Sequence, residues 1–302
     1  MAGKKEKTVV GVIGLGIMGS AIATNLQISG FHVLGAEVTP ATRKRMQKHV
    51  AEVFTDASGW VGRTRHLITS LPSSAALMQV ARQLVDAHRK AGVKNAKTVL
   101  AEVSTFPIAD KLAARDLLAT VGITMIDAPL SGTGAQAKNR DLTVYGSGDK
   151  AAIKAMMTVF KGFSREQFDV GEFGNGMRMK LVANLMVAIH NVSAAEALLF
   201  GVKMGLDPKR MVQVVGGGAG TSRMFQVRGP MMATRGWADA TMKNKVWQKD
   251  MTIIQNALQE LNVPAPLFSA CIPIYLSAMS QGHELDDTAS VYAVLERAAG
   301  GK

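Results

Sequence analysis

Lys180 and Asn184 are two polar residues, four positions apart, in a segment at 177–189 that is otherwise mostly apolar. On a helix, residues at i and i+4 project from the same face, and a helix that is apolar nearly all round is expected to be buried. A lysine there is costly unless it has partners or a function. Because desolvation lowers a lysine pKa from about 10.4 toward neutral pH, Lys180 could exchange a proton with a substrate oxygen. The alternative is that its ammonium only extends to solvent from the first turns of the helix.

A glycine-rich pattern directly follows the apolar run at 9–13, and it consists of Gly14, Leu15, Gly16, Ile17, Met18 and Gly19. In G-x-G-x-x-G the first glycine permits a tight turn, the second lets the backbone approach a pyrophosphate, and the third lets a helix pack closely on a strand. The helix N-terminus then supplies free N–H groups for the phosphates. The pattern predicts a dinucleotide site, with an ordinary tight turn as the alternative.

Glu37 stands 18 residues after Gly19, at the expected end of a second strand. An acidic residue there accepts hydrogen bonds from the adenosine ribose hydroxyls and repels a 2′-phosphate, which favours NAD over NADP. NADP stays open because Arg43, Lys44 or Arg45 could bind that phosphate. Glu37 could also be a plain exposed turn residue.

Ser131, Gly132 and Thr133 follow an expected strand at 124–127, and open α/β sheets bind ligands at such strand ends. Successive N–H groups in a glycine-bearing turn, together with two hydroxyls, predict a pocket for a carboxylate. A simple turn would account for Gly132 and Gly134 but not for the serine and threonine as well.

The elements that must position these residues change in kind near residue 171. Before it, short β-branched runs alternate with helical patterns, which predicts a mainly parallel sheet covered on both faces; after it, the patterns are helical. We predict an α/β Rossmann N-terminal domain at 1–171 and an all-α C-terminal domain for substrate binding and oligomerisation at 172–302, joined by a long interdomain helix. Strands are expected at 9–13, 33–36, 66–70, 99–103, 124–127, 142–145 and 168–170, and helices at 20–29, 40–49, 75–91 and 108–120.

Composition excludes several classes of protein. The chain of 302 residues has one cysteine and six scattered histidines, so neither a disulfide framework nor a metal site is expected. Its formal net charge is +12, but the Lys and Arg residues are spread along the chain without interleaved aromatic residues. We therefore expect anionic small molecules as partners and no nucleic acid. No membrane span and no secretion signal is expected, which predicts a cytoplasmic protein.

Several motifs in register make the chain resemble the β-hydroxyacid dehydrogenase family, which includes 3-hydroxyisobutyrate dehydrogenases and tartronate semialdehyde reductases. The resemblance covers nearly the whole chain. Its motifs lie at 11–19, 70–72, 103–107, 127–134, 174–184 and 249–250.

The resemblance implies an NAD(P)-dependent oxidoreductase that interconverts a small β-hydroxy acid and its semialdehyde or keto acid. Lys180 would be its general acid/base, and Asn184 would position the substrate hydroxyl. Leu71 and Pro72 would line the nicotinamide. Thr105 and Lys249 would also contact the cofactor.

The chain departs from the family pattern at Thr133, where a second glycine is usual, at Ala76, where asparagine is frequent, and at Met242, where phenylalanine is frequent. These departures leave the particular hydroxy acid open. The physiological direction and the pathway are open as well.

Two other functions remain as alternatives. Imine reductases share the architecture but usually replace the catalytic lysine, so Lys180 counts against that activity. A dehydrogenase-like scaffold without catalysis is the second alternative. The family also implies a homo-oligomer, a dimer or tetramer, and apolar stretches at 183–189 and 194–202 could be buried against a partner.

Overall fold

A computed structural model of the chain describes residues 7–93 and 97–301. The chain divides into two compact units, of which the first ends at Lys180 and the second begins at Leu181. The domain boundary expected at 171/172 remains a prediction, because the division observed here falls within a helix.

The first unit is built on a six-stranded parallel sheet in the order β3-β2-β1-β4-β5-β6. The strand order reverses at β1, because β2 and β3 follow on one side of it and β4, β5 and β6 on the other. Open α/β sheets bind ligands at such a reversal, at the carboxyl ends of their strands. The strands are β1 (Val9–Ile13), β2 (His32–Ala36), β3 (Glu52–Phe54), β4 (His66–Thr69), β5 (Thr98–Glu102) and β6 (Ile123–Asp127).

Helices cover both faces of this sheet, as the strand pattern predicts. One apolar core includes Ile22, Leu26 and Phe160 beside the strands, and the other includes Leu84 and Leu118. The helices are α1 (Ile17–Ile28), α2 (Pro40–Met46), α3 (Ser74–Lys90), α4 (Ile108–Ala119), α5 (Gly134–Lys138) and α6 (Lys150–Lys161).

A smaller sheet completes the first unit. It contains β7 (Leu130–Ser131), β8 (Thr143–Gly146) and β9 (Glu166–Asp169), with β7 antiparallel to β8 and β9 parallel to it. The strands predicted at 142–145 and 168–170 therefore belong to this sheet and not to the large one. The sequence analysis did not predict β3 and β7, because two or three residues are too few for an alternating pattern to stand out.

The second unit is helical, and no strand occurs in its described part, residues 181–301. The helices are α7 (Asn175–Lys203), α8 (Pro208–Gly216), α9 (Arg223–Thr234), α10 (Asn244–Glu260), α11 (Pro266–Ser280) and α12 (Val291–Ala298). The predicted long helix is α7, which starts in the first unit and continues through the second. The apolar core of the second unit includes Phe225, Trp247, Phe268 and Tyr275.

The expectation that α7 is buried all round is wrong. A stripe along the helix is buried, with Asn184, Ala188 and Asn191 on it. Val182 and Phe200 are 61% and 67% exposed. By length and composition α7 could cross a bilayer, but long core helices of soluble proteins meet the same criterion.

Candidate functional site

The glycine-rich turn joins β1 to α1 with no room for larger residues at two of its three glycines. Gly14 has φ of +87°, and a Cβ on it would lie 2.2 Å from the Ser70 carbonyl oxygen. A Cβ on Gly19 would lie 1.8 Å from the Gly14 carbonyl oxygen. At Gly16, the residue before α1, no atom lies within 4 Å of such a Cβ. The turn is thus closed on its protein side and open where a phosphate would approach the helix N-terminus.

Glu37 lies directly after β2 and holds this turn. Its Oε2 accepts a hydrogen bond from the Leu15 N–H at 2.9 Å, and its Oε1 accepts one from the Thr39 N–H at 2.9 Å. Partial burial would raise the pKa of Glu37, but the hydrogen bonds from Thr39 and Leu15 lower it below its ordinary value. Glu37 is therefore ionised at neutral pH. The Arg43 guanidinium donates to the Glu37 and Val38 carbonyl oxygens.

One cavity of about 560 Å³ in the first unit collects most of the residues predicted to bind the dinucleotide. Its lining includes the segments at the carboxyl ends of β1, β2 and β4, which is where the topology predicts a ligand. The predicted residues that line it are Gly14, Gly16, Ile17, Met18, Glu37, Leu71 and Pro72. The open Gly16 and the free N–H groups of α1 fit the pyrophosphate of a dinucleotide.

The loop after β4 is hydrogen-bonded to the loop after β5. The Leu71 N–H donates to the Ser104 Oγ at 2.9 Å, and the Ser104 N–H donates to the Glu102 Oε1 at 2.8 Å. Thr105, the next predicted cofactor contact, follows in the chain but does not line the cavity. The sequence analysis did not predict that Ser104 supports Leu71.

The Ser131–Thr133 segment has a structural role that the sequence analysis missed. Thr133 caps α5: its Oγ1 accepts from the Gln136 N–H, and the Gln136 side chain accepts from the Thr133 N–H. The spacing T-x-x-Q is the signal that would have predicted this capping box. Gly132 has φ of +129°, and the Ser131 side chain makes no hydrogen bond within the described residues. Of the groups predicted to bind a carboxylate, the cap thus uses the Thr133 N–H, whereas the Ser131 hydroxyl, the Gly132 N–H and the O–H of Thr133 remain as donors.

Lys180 lies in the second turn of α7 and is partly buried. The first turn of this helix is fixed in the first unit. The Met177 N–H donates to the Asp127 Oδ2 at 2.8 Å, and the Gly176 N–H donates to the Ser147 Oγ at 2.9 Å. Lys180 therefore projects from a helix whose start is hydrogen-bonded to buried side chains.

Asn184, one turn after Lys180 on α7, is buried within the second unit. Its Nδ2 donates to the Asp250 Oδ2 at 2.9 Å, and the Lys249 Nζ lies 3.9 Å from the Asp250 Oδ1. The structure thus brings together Asn184 and Lys249, two predicted site residues, through Asp250. The Asn184 amide nitrogen carries two N–H groups, of which one donates to Asp250 and the other can donate to a substrate oxygen.

A buried ion cluster in the first unit was not predicted from the sequence. The Lys111 Nζ lies 2.6 Å from the Glu102 Oε2 and 2.6 Å from the Asp127 Oδ1, and all three side chains are fully buried. Burial raises the pKa of Glu102 despite the neighbouring ammonium. Although burial alone would lower it, the two carboxylates raise the pKa of Lys111. The three residues of this ion cluster are far apart in the sequence, so no local spacing could indicate the cluster.

Among residues 7–93 and 97–301, no group of three or more His, Cys, Asp and Glu side chains is arranged to hold a metal ion.

Two family profiles together match nearly the whole chain. The NAD binding domain of 6-phosphogluconate dehydrogenase matches residues 9–174. The profile described as NAD-binding of NADP-dependent 3-hydroxyisobutyrate dehydrogenase matches residues 174–295. L-threonate dehydrogenase from Cupriavidus necator is 28% identical over 295 residues, which covers 94% of this chain and 95% of the relative.

Solved structures agree on the fold. The crystal structure of 3-hydroxyisobutyrate dehydrogenase from Salmonella typhimurium has a TM-score of 0.82 at 24% identity, with 95% of this chain and 100% of that chain covered. An imine reductase from Streptomyces aurantiacus is more distant, with a TM-score of 0.63 at 18% identity over 95% of this chain and 99% of that chain.

Proposed function

This chain belongs to the β-hydroxyacid dehydrogenase family, and from that premise we propose that it oxidises a small β-hydroxy acid reversibly to its semialdehyde or keto acid. The observation that carries the proposal is the retention of Lys180 and Asn184 one helical turn apart on α7, in a chain that matches the family from residue 9 to 295. Imine reductases usually replace this lysine, and their structures are the more distant ones.

The cofactor is NAD, with NADP as the alternative, and it supplies the hydride acceptor or donor when bound. Gly14, Leu15, Gly16, Ile17, Met18 and Gly19 hold its pyrophosphate through the turn and the start of α1. Glu37 accepts the ribose hydroxyls, Leu71 and Pro72 line the nicotinamide, and Thr105 and Lys249 complete the contacts. The observations that support these roles are the cavity and the ionised Glu37 at its edge.

In the oxidation, neutral Lys180 takes the proton of the substrate hydroxyl while a hydride leaves the carbon that bears this hydroxyl. In the reduction, the Lys180 ammonium gives its proton to the carbonyl oxygen. A positioned proton-transfer group contributes about 10²–10⁴-fold to such a rate. Asn184 Nδ2 donates one N–H to Asp250, and its second N–H donates to the substrate oxygen and keeps that oxygen beside Lys180 in both directions of the reaction.

The substrate carboxylate lies on the Ser131–Thr133 segment. Because the cap of α5 uses the Thr133 N–H but only the acceptor side of its hydroxyl, we propose that Ser131, Gly132 and the Thr133 O–H make the polar contacts and that the cap fixes the shape of the turn. The pocket is then one side chain tighter than in a relative with glycine at this position.

A panel assay tests this function. NAD and NADP reduction would be followed at 340 nm with 3-hydroxyisobutyrate, L-threonate, glycerate and a simple alcohol of equal length that lacks the carboxylate. We expect turnover with at least one acid and none with the alcohol. Dinucleotide binding without turnover of any acid would favour a scaffold. Reduction of a cyclic imine with NADPH, together with no turnover of any acid, would favour an imine reductase.

We further propose that the protein is a cytoplasmic homo-oligomer, a dimer or tetramer, that binds neither nucleic acid nor membranes. Val182, Met186 and Phe200 on α7 are exposed apolar side chains, which a second copy would cover. Light scattering coupled to size exclusion measures the mass directly, and a mass near 32.1 kDa would contradict this proposal.

A further inference from the structure

The buried Lys111 cluster connects the two segments of the first unit on which the proposed chemistry depends. One arm runs from Lys111 through Glu102 and Ser104 to the Leu71 N–H, in the loop that lines the dinucleotide cavity. The other arm runs from Lys111 through Asp127 to the Met177 N–H, at the start of the helix that carries Lys180. No other ammonium lies within salt-bridge distance of these two carboxylates in the described part of the chain.

The helix arm holds α7 tightly. Asp127 accepts from Met177 at 2.8 Å, and Ser147, which accepts from Gly176, also donates toward Asp127. A Cβ on Gly176 would lie 2.5 Å from the Tyr145 carbonyl oxygen, so the first turn rests directly on the backbone. A carboxylate at a helix N-terminus is further favoured by the helix dipole. Lys180 follows Met177 by three residues, which is about 4.5 Å along the helix axis.

Stability alone does not explain this cluster. One ammonium serves two carboxylates without access to water, and a buried ion cluster of this kind is often no more stable than an apolar replacement. What an ion cluster does provide is a fixed geometry, since each of its atoms must be matched to a partner. The two arms end at the backbone N–H groups of Leu71 and Met177, which donate to Ser104 and Asp127.

We propose that Lys111 is a positioning residue, whose ammonium fixes the Leu71 loop and the first turn of α7 relative to each other through Glu102 and Asp127. The proposal rests on the proposed function in that Lys180 is taken as the proton-transfer group. A displacement of about 1 Å at a reacting group can cost about a hundredfold in rate. The loop arm should therefore govern nucleotide binding, and the helix arm should govern the rate of turnover.

Three serine variants separate the arms. Ser104→Ala removes the acceptor of the Leu71 N–H, and Ser147→Ala removes the acceptor of the Gly176 N–H. Ser164→Ala is the matched control, because Ser164 is also buried in the first unit and its hydroxyl donates to a helical carbonyl outside the cluster. Lys111→Met removes the ammonium itself. If this variant does not fold, the serine variants still test the two arms.

We expect Ser104→Ala to raise the Kd for NADH about fivefold or more with a smaller change in kcat, and Ser147→Ala to lower kcat about tenfold or more with little change in Kd. Ser164→Ala should change neither. Equal losses in all three variants, or no loss in the first two, would overturn the proposal.

Two further measurements separate this proposal from the role of Lys180. In a Lys180→Ala background, Ser147→Ala should change the residual kcat by less than about twofold, because the two losses are then not additive. Hydrogen exchange of the Gly176 and Met177 amides should become faster in Ser147→Ala and stay unchanged in Ser164→Ala. If Lys180→Ala is fully active, the proposed function fails while the exchange result still tests the anchor; unchanged exchange in Ser147→Ala refutes the anchor itself.

Discussion

Alanine at two glycines of the same turn should differ in its effect on the free energy of unfolding. A Cβ on Gly19 would lie 1.8 Å from the Gly14 carbonyl oxygen, and real Cβ atoms essentially never approach closer than 3.0 Å, so the backbone must separate by about 1.2 Å. Overpacking of this kind costs about 1–3 kcal/mol or more. The usual gain of about 0.5–1 kcal/mol for Gly→Ala within a helix offsets only part of that cost.

Gly16→Ala is the matched variant in the same turn. Its φ of −64° suits any residue, and no atom lies within 4 Å of the added Cβ. We therefore expect the free energy of unfolding to change by less than about 1 kcal/mol, the scale of an N-cap substitution. The added methyl group points into the space where the pyrophosphate would approach, so the affinity for NADH should fall by about tenfold or more.

Urea denaturation followed by tryptophan fluorescence measures the stability of both variants, and NADH fluorescence measures their affinity. Gly19→Ala should lose stability and affinity together, whereas Gly16→Ala should lose affinity alone. Wild-type affinity in a folded Gly16→Ala variant would refute the assignment of this turn as the pyrophosphate site.

Two further predictions concern charged groups. Glu37→Ala should erode the preference for NAD over NADP, measured as the ratio of the two kcat/KM values, and an unchanged ratio would show that Glu37 does not contact the ribose. In the second unit, burial would raise the pKa of Asp287, but Arg228 and the Met242 and Ala289 N–H groups lower it below 3.8. A carboxyl group whose pKa is lower in the folded state than in the unfolded state stabilises the fold at pH values above the unfolded-state pKa. This stabilisation is lost as the pH falls through the folded-state pKa. The difference in unfolding free energy between wild type and Asp287→Asn, from urea titrations, should therefore shrink below about pH 4; a pH-independent difference would contradict this reasoning.

Local sequence patterns were sufficient for the parts of the molecule whose contacts are close in the chain. The glycine spacing predicted the turn between β1 and α1, and the alternation of runs predicted the parallel sheet and the helical second unit. The Thr133 cap was also readable, since its partner Gln136 is three residues away, but only a simple turn was considered beside the carboxylate pocket.

Contacts between distant residues could not be predicted in this way. Asn184 donates to Asp250, which is 66 positions later. Glu102 and Asp127 lie side by side only because β6 pairs with β5, and Lys111 contacts both from α4. Each of these residues taken alone is typical of an exposed helix or a strand end. The burial of α7 was overestimated because its composition gives no face that is visibly polar.

The account depends most directly on the role of Lys180. The decisive measurement is the kcat of Lys180→Ala with the best acid of the panel, beside the Kd of the same variant for NADH. The account predicts that kcat falls by about a hundredfold or more while the Kd changes by less than about twofold, as expected when only a proton-transfer group is lost. Turnover close to the wild-type value would contradict it and would require a different acid/base.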